Sequence, residues 1–212
     1  MSDSPRFFTQ RSNISDIITL CGSDAHHARD VLRLRRGDLI TVCDMQKTEY
    51  ICCVECDSEP FTVRVIKTHE AFGENSYRTV LFQALTKGEK FDMVVQKATE
   101  LGVTEIVPVL TERCVSRPDA KSMSSKLERF RKIALSAAKQ SGRGIIPDIT
   151  ECVSYREALN LMKNSGFPFI CYEGDGTVFI SELLSGNGAH ESYAFLIGPE
   201  GGLSAGEIEM AK

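Results

Sequence analysis

Apolar positions recur with two different periods along this 212-residue chain, and the change of period divides it. From Leu39 to His69 they come in short alternating runs: Leu39, Ile40 and Val42, then Tyr50, Ile51 and Val54, then Phe61, Val63 and Val65. Turn signals at Gly37-Asp38 and Glu59-Pro60 separate the runs, which is the pattern of short β-strands. Before them, Ser23 to Leu34 reads as a short helix, with Ser23 or Asp24 as N-cap, Val31, Leu32 and Leu34 as its apolar end, and Gly37 as its stop. The polar stretch around residues 70–78 then marks a boundary. The pattern predicts a small β-rich domain over residues 1–72 and a second domain over 73–212.

In the second domain strands alternate with helices. Thr79 to Leu85 is an apolar strand, and Gly88 to Leu101 places Phe91, Val94, Val95, Ala98 and Leu101 on one helical face, with Gly102 capping its end. A strand from Glu105 to Leu110 follows. The next helix, about Ser124 to Gly142, aligns Leu127, Phe130, Ile133, Ala134, Ala137 and Ala138, with Arg129, Arg131, Lys132 and Lys139 on its other face. A strand near Ile149, a helix from Ser154 to Lys163, a strand Phe167 to Tyr172, a helix near Val178 to Leu184 and a strand Tyr193 to Ile197 continue the alternation. Repeated strand-helix units predict an α/β fold with a mostly parallel sheet covered on both faces. Ligands of such sheets bind beyond the carboxyl ends of the strands, which directs attention to the loops after Leu85, Leu110, Tyr172 and Ile197.

Charge sharpens the division. Residues 78–147 carry 13 Lys and Arg against 7 Asp and Glu, whereas residues 1–77 carry 9 against 12 and residues 148–212 carry 3 against 10. A basic middle between acidic flanks suits either a phosphate-binding surface or an ordinary solvated helix face. The N-terminal stretch shows no apolar run behind a basic start, and no segment approaches the roughly 18 apolar residues of a membrane span, so a cytoplasmic protein is expected. In that setting the 8 cysteines read as reduced thiols rather than a disulfide framework. Cys52, Cys53 and Cys56 include one CxxC without the second pair or the histidines of a zinc site, and His26-His27 has no metal-site neighbours. No metal is expected.

The most specific feature is the run Ile197-Gly198-Pro199-Glu200-Gly201-Gly202-Leu203-Ser204. It joins a buried strand to a helix that begins at Ser204, since Ser204 and Glu207 form a capping box. Three glycines allow close approach of peptide groups to a ligand, which suits an adenine or methionine moiety held by main chain; the bland alternative is a connection with glycines for turning only. No Lys-Ser/Thr follows the glycines, and the spacing is not that of a dinucleotide fingerprint. Gly174-Asp175-Gly176, after the Tyr172 strand, reads as a second ligand-facing loop.

Six segments carry a family resemblance: RFF at Arg6 to Phe8, HHARDVLRLRRGD at His26 to Asp38, KGEKFDMVVQKATELGV at Lys87 to Val103, Arg113 to Arg117, RKIALSAAKQSGR at Arg131 to Arg143, and IGPEGGLS at Ile197 to Ser204. In this order they resemble the RsmE family of bacterial 16S rRNA uracil-N3 methyltransferases, of the SPOUT superfamily. The resemblance implies a PUA-like RNA-binding β-barrel ahead of a SPOUT domain with a trefoil knot, a homodimer, S-adenosylmethionine as cofactor, and the uridine at position 1498 as target. It puts the cofactor loops at Tyr172, Glu173 and Gly174 and at Ile197, Gly198, Pro199, Glu200, Gly201, Gly202 and Leu203. The family runs on past the last helix into a segment that closes the knot, whereas this sequence stops at Lys212, so part of the knot and of the cofactor pocket is expected to be missing.

Methyl transfer to nitrogen is an in-line displacement that needs positioning rather than a metal. Uracil N3 must lose its proton, which calls for a base or a cation that stabilises the anion. Glu200 is the carboxylate for the first role, and Arg113 or Arg117 the cation for the second; alternatively Glu200 caps a backbone turn and the arginines bind phosphate. The candidate RNA contacts are Arg6, Arg33, Arg35, Arg36, Lys87, Lys90, Arg129, Arg131, Lys132, Lys139 and Arg143, and the expected partner is 16S rRNA within the small ribosomal subunit. Two rivals remain open: an RNA-binding or ribosome-assembly protein without catalysis, and a SPOUT methyltransferase acting at another RNA position.

Overall fold

A computed structural model describes residues 4–212; Met1 to Asp3, part of the stretch read above for export signals, lie outside the described residues. The chain forms two compact units. One holds the residues up to Glu74 together with Ala138–Ile146, the other Asn75–Ala137 together with Pro147–Lys212.

The first unit is built on strands β1 (Arg6–Phe8), β2 (Ile17–Leu20), β3 (Leu39–Cys43), β4 (Thr48–Cys56) and β5 (Phe61–Glu70), in the order β1-β3-β4-β5-β2. All pairings are antiparallel except β1 with β3. Register shifts between β4 and β5 at Ile51/Cys52 and Val54/Cys56 bend the sheet around its core. That core contains Ile40, Val42, Val54, Phe61 and Val63 of the apolar alternation read from the sequence, with Tyr50 and Val65 packed against it, and adds Phe7, Ile18 and Cys52, which that alternation did not include; Leu39, expected among the apolar positions, is exposed.

The helix expected over Ser23 to Leu34 is shorter and differently capped. Helix α1 spans Gly22–His26 behind Cys21, whose side chain makes no cap bond, so Ser23 and Asp24 lie inside the helix. The next turn widens, with the Leu32 N–H donating to the His27 carbonyl at 2.9 Å. Of its expected apolar end only Leu34 is buried; Val31 and Leu32 face solvent. Ala28 supplies the other buried contact, which a search for large apolar residues overlooks.

Residues 138–146 complete this unit through buried charge. Glu74 accepts from Arg143 Nη2 at 2.8 Å, and from the Gly144 and Ile145 N–H groups at 2.9 and 3.2 Å. A Cβ on Gly144 would meet Ala71 Cβ at 2.3 Å, so only glycine fits there.

The second unit contains β6 (Arg78–Ala84), β7 (Glu105–Leu110), β8 (Asp148–Ile149), β9 (Val153–Ser154), β10 (Phe167–Cys171) and β11 (Ser192–Ile197), with α2 (Lys90–Glu100), α3 (Ala120–Ser141), α4 (Tyr155–Lys163), α5 (Ile180–Gly186) and α6 (Ala205–Ala211). The order is β10-β11-β6-β7-β8, β9 also pairs with β7, and every pairing is parallel. Val80, Phe82, Val107, Val109, Ala194 and Leu196 pack with Tyr155, Ala158 and Met162 of α4 and with Leu203. Phe91 of α2 stacks on Phe130 of α3 with ring centroids 4.5 Å apart.

Three boundaries shift for local reasons. Helix α3 begins at Ala120 rather than Ser124, because Asp119 Oδ1 accepts the Ser122 N–H at 2.7 Å and caps an earlier turn. Leu101, expected on the buried face of α2, is 80% exposed, since it is the residue at which the helix ends before Gly102 turns the chain at φ +97°. Helix α5 starts at Ile180, two residues later than expected, and leaves Val178 and Phe179 in solvent.

Candidate functional site

The strand order reverses between β6 and β11, because the chain moves from β6 to β7 on one side and returns through β10 and β11 on the other. The crevice beyond the strand ends at such a reversal is where parallel sheets hold ligands. The run from Ile197 to Leu203 starts there. It wraps one side of a cleft of about 630 Å³, whose opposite wall is Cys171, Tyr172, Glu173 and Gly174 at the end of β10. The two loops singled out from the sequence thus face one space.

The bend itself is a tight turn. The Gly202 N–H donates to the Pro199 carbonyl at 2.8 Å, and Gly202 has φ +67°, a region that costs other L-residues energy. Ser204 then caps α6 as expected, with Glu207 completing the capping box. Glu200 does not point into solvent unpaired. Its Oε1 accepts the Lys87 N–H at 3.2 Å and lies 3.1 Å from Lys90 Nζ, so it ties the loop after β11 to the loop after β6. Its own backbone N–H, followed by Lys90, holds its carboxyl below the usual carboxylate range.

The loop after β7 supplies the remaining wall. Arg113 Nη1 donates to the Gly201 carbonyl at 2.9 Å, and Arg113 lines the cleft. Arg117 behaves differently: its Nη2 donates to the carbonyls of Thr111 and Glu112 at 3.1 and 2.8 Å, within its own loop. The structure therefore brings Glu200 and Arg113 to the cleft and uses Arg117 to hold the segment that carries Arg113.

Known proteins match this chain over most of its length. The RNA methyltransferase domain family matches residues 73–212, and the RNA methyltransferase PUA domain family matches residues 20–66. The ribosomal RNA small subunit methyltransferase E of Bacillus subtilis is 30% identical over 197 residues, covering 90% of this chain and 77% of that protein. The chain belongs to the ribosomal RNA small subunit methyltransferase E family. A Synechocystis member is 27% identical over 93% of this chain and 64% of its own length. Two solved structures carry cofactor: a member of the family from Neisseria gonorrhoeae bound to S-adenosyl methionine (TM-score 0.79, 29% identity, 98% of this chain and 85% of that one), and a Legionella pneumophila methyltransferase in complex with the same molecule (TM-score 0.83, 27% identity, 98% and 85%). The PUA-like domain followed by a parallel α/β methyltransferase domain is thus the family's fold.

The basic residues expected to meet RNA have diverse surroundings. Arg6 is drawn inward, with Nη1 2.7 Å from Glu49 Oε1, and Arg143 is nearly buried against Glu74. Lys139 pairs with Asp24 at 3.4 Å and lies over the Phe7 ring. Arg129 bonds to Asp92, and Arg131 donates to the Ile149 carbonyl at 3.0 Å. Lys90 holds Glu200. Arg33, Arg35, Arg36, Lys87 and Lys132 are exposed, Arg33 with φ +55° in a region unusual for its type. His26 Nδ1 lies 2.6 Å from Asp30, a pairing across one helical turn rather than a metal arrangement, and Cys52 is a core thiol that burial pushes up to about 12. Among the described residues no cluster that could hold a metal ion is found, and no helix is long and apolar enough to cross a membrane.

One residue supports the cleft from behind its wall, a role that the capping-box pattern does not reveal. Glu207 was recognised as a capping partner, yet its second carboxylate oxygen accepts the Glu112 N–H at 2.7 Å. That bond and its burial, at 6% exposed, distinguish it from the other capping glutamate, Glu157, which lies in solvent.

Proposed function

We propose that this protein transfers the methyl group of S-adenosylmethionine to N3 of a uridine in the 16S rRNA of the small ribosomal subunit, position 1498 by family resemblance. The observation that carries the reading is the glycine-rich bend at the reversal of strand order, facing Cys171 to Gly174 across a cleft of ligand size. The residues present fit the cofactor. Gly198, Gly201 and Gly202 let main chain approach an adenine closely, Ile197, Pro199 and Leu203 offer apolar contact to its faces, and Glu173 offers negative charge to an ammonium or sulfonium. When bound, the cofactor supplies an electrophilic methyl group on a cationic sulfur.

The chain's own residues then position and polarise. Glu200 is committed to Lys87 and Lys90 and held ionised, so its work is to shape the loop; a carboxylate with a lowered pKa is a weak base for a ring N–H. Arg113 stands in the cleft wall with a fixed cation, suited to the negative charge that develops as N3 loses its proton. Arg117 supports it. A single-stranded or flipped uridine is the form that can enter, and exposed Arg33, Arg35, Arg36, Lys87 and Lys132 are the phosphate contacts this reading favours. The working unit is a homodimer in the cytoplasm; the apolar groove formed by Tyr77, Leu81, Leu101, Phe195 and Ile197 supports a face that a second copy covers.

The test is methyl transfer from labelled S-adenosylmethionine to small ribosomal subunits, followed by nucleoside digestion and mass spectrometry. Label in N3-methyluridine is expected. Label on another base or on a ribose refutes the position, and RNA binding without any transfer refutes the enzyme.

A further inference from the structure

The two capping boxes of the second unit share a sequence pattern and differ in use. In α4, Ser154 and Glu157 bond only to each other: Glu157 Oε2 accepts the Ser154 N–H at 2.8 Å and its hydroxyl at 2.7 Å, all in solvent. In α6, Glu207 Oε2 accepts the Ser204 N–H at 2.9 Å, while Oε1 reaches out of the helix to the N–H of Glu112, 95 residues earlier in the chain. The Glu207 carbonyl also accepts the Tyr155 hydroxyl at 2.9 Å, which anchors the residue from behind. A buried carboxylate whose two oxygens serve different loops is a clamp.

What it clamps is the peptide next to Arg113. Glu112 is held at its N–H by Glu207 and at its carbonyl by Arg117, and Arg113, the next residue, donates to Gly201 of the glycine bend. These bonds close a ring from Glu207 through Glu112, Arg113 and Gly201 back to Ser204. The bend and the guanidinium therefore cannot move independently.

We propose that Glu207 is a positioning residue for methyl transfer, acting through the Glu112 peptide to aim Arg113 across the cleft. This rests on the reading that Arg113 serves the reaction. In Glu207→Gln one amide oxygen must choose between two N–H donors, and the amide N–H₂ confronts the other, so a bond is lost while side-chain size is kept.

The experiment measures kcat, its pH profile and cofactor affinity for the wild-type chain, Glu207→Gln, Arg113→Ala and the double variant, using S-adenosylmethionine and small ribosomal subunits. Loss of one hydrogen bond to a charged group predicts a kcat lower by about tenfold in Glu207→Gln. Its pH profile should move to higher pH, since N3 deprotonation is less assisted, and its dissociation constant for S-adenosylmethionine should change by less than about threefold. In the Arg113→Ala background the same change should cost almost nothing, because the residue through which Glu207 acts is gone. Glu157→Gln should match wild type. If Glu207→Gln fails to fold, Tyr155→Phe loosens the same clamp and should lower kcat in the same direction. A wild-type kcat in the folded variant, an unmoved pH profile, or full additivity with Arg113→Ala overturns the proposal. An Arg113→Ala variant with wild-type kcat overturns the catalytic reading of Arg113, and this inference with it.

Discussion

Two adjacent glycines in the bend should respond unequally to alanine. Gly202 has φ +67°, and a Cβ there would find only Glu173 Oε1, at 4.0 Å, so space is not the constraint. The cost is conformational: an alanine in the left-handed region pays about 1–2 kcal/mol relative to its relaxed form. If the bend relaxes when empty and must be restored for binding, that cost appears in affinity as about a 5- to 30-fold weaker dissociation constant for S-adenosylmethionine. Gly201 lacks a positive φ, and its Cβ would lie 3.5 Å from Arg113 Cβ, ordinary contact distance. Gly201→Ala should therefore weaken binding by less than about threefold, within the usual ±0.5 kcal/mol of a tolerated surface change. Isothermal titration calorimetry on both variants, with circular dichroism to confirm folding, reads the difference. Equal losses in the two variants, or unchanged affinity in Gly202→Ala, would refute the claim that a left-handed Gly202 preorganises the site.

Other consequences concern charge and burial. Because the Glu200 carboxyl titrates below its ordinary value, the tie it makes to Lys87 and Lys90 is fully present above that ordinary value and is lost only as pH falls through the depressed one; affinity for S-adenosylmethionine should be flat through neutral pH, and a drop between about pH 6 and 8 in wild type that is absent in Glu200→Gln would contradict this. Glu200→Gln should retain a wild-type-shaped pH profile of kcat, whereas loss of the ascending limb would make Glu200 the base after all. Arg143→Met removes the cation beside the buried Glu74 carboxylate in the first unit and should cost about 3–5 kcal/mol in urea unfolding; a loss below about 1 kcal/mol would show the pair to be dispensable. Burial pushes the Cys43 and Cys52 thiols up to about 12, while a hydrogen bond from Ser58 holds Cys56 low, so maleimide at neutral pH should label Cys56 well before the other two, as peptide mass mapping would show.

Much of this architecture was legible in the residues because it follows from local period. Alternation placed β3 to β5, strand-helix repetition announced a parallel sheet, and Ser204 with Glu207 marked the start of α6. The glycine bend was legible too, since only a ligand or a tight turn asks for three glycines and a proline within five positions. Errors at this level were also local: Asp119 starts α3 a turn before Ser124, and Leu101 fell one residue beyond its helix.

What the sequence by itself determined, then, was which segments are strands and helices, and which loops carry unusual residues, because periodicity and backbone preference act over a few residues. Tertiary structure alone decided which charges are spent and which are free. Nothing local says that Arg143 will meet Glu74 or that Glu207 will reach Glu112, since those partners are separated by 69 and 95 residues. A buried charge finds its partner only when the chain has folded, and the same packing that excludes water makes that pairing obligatory.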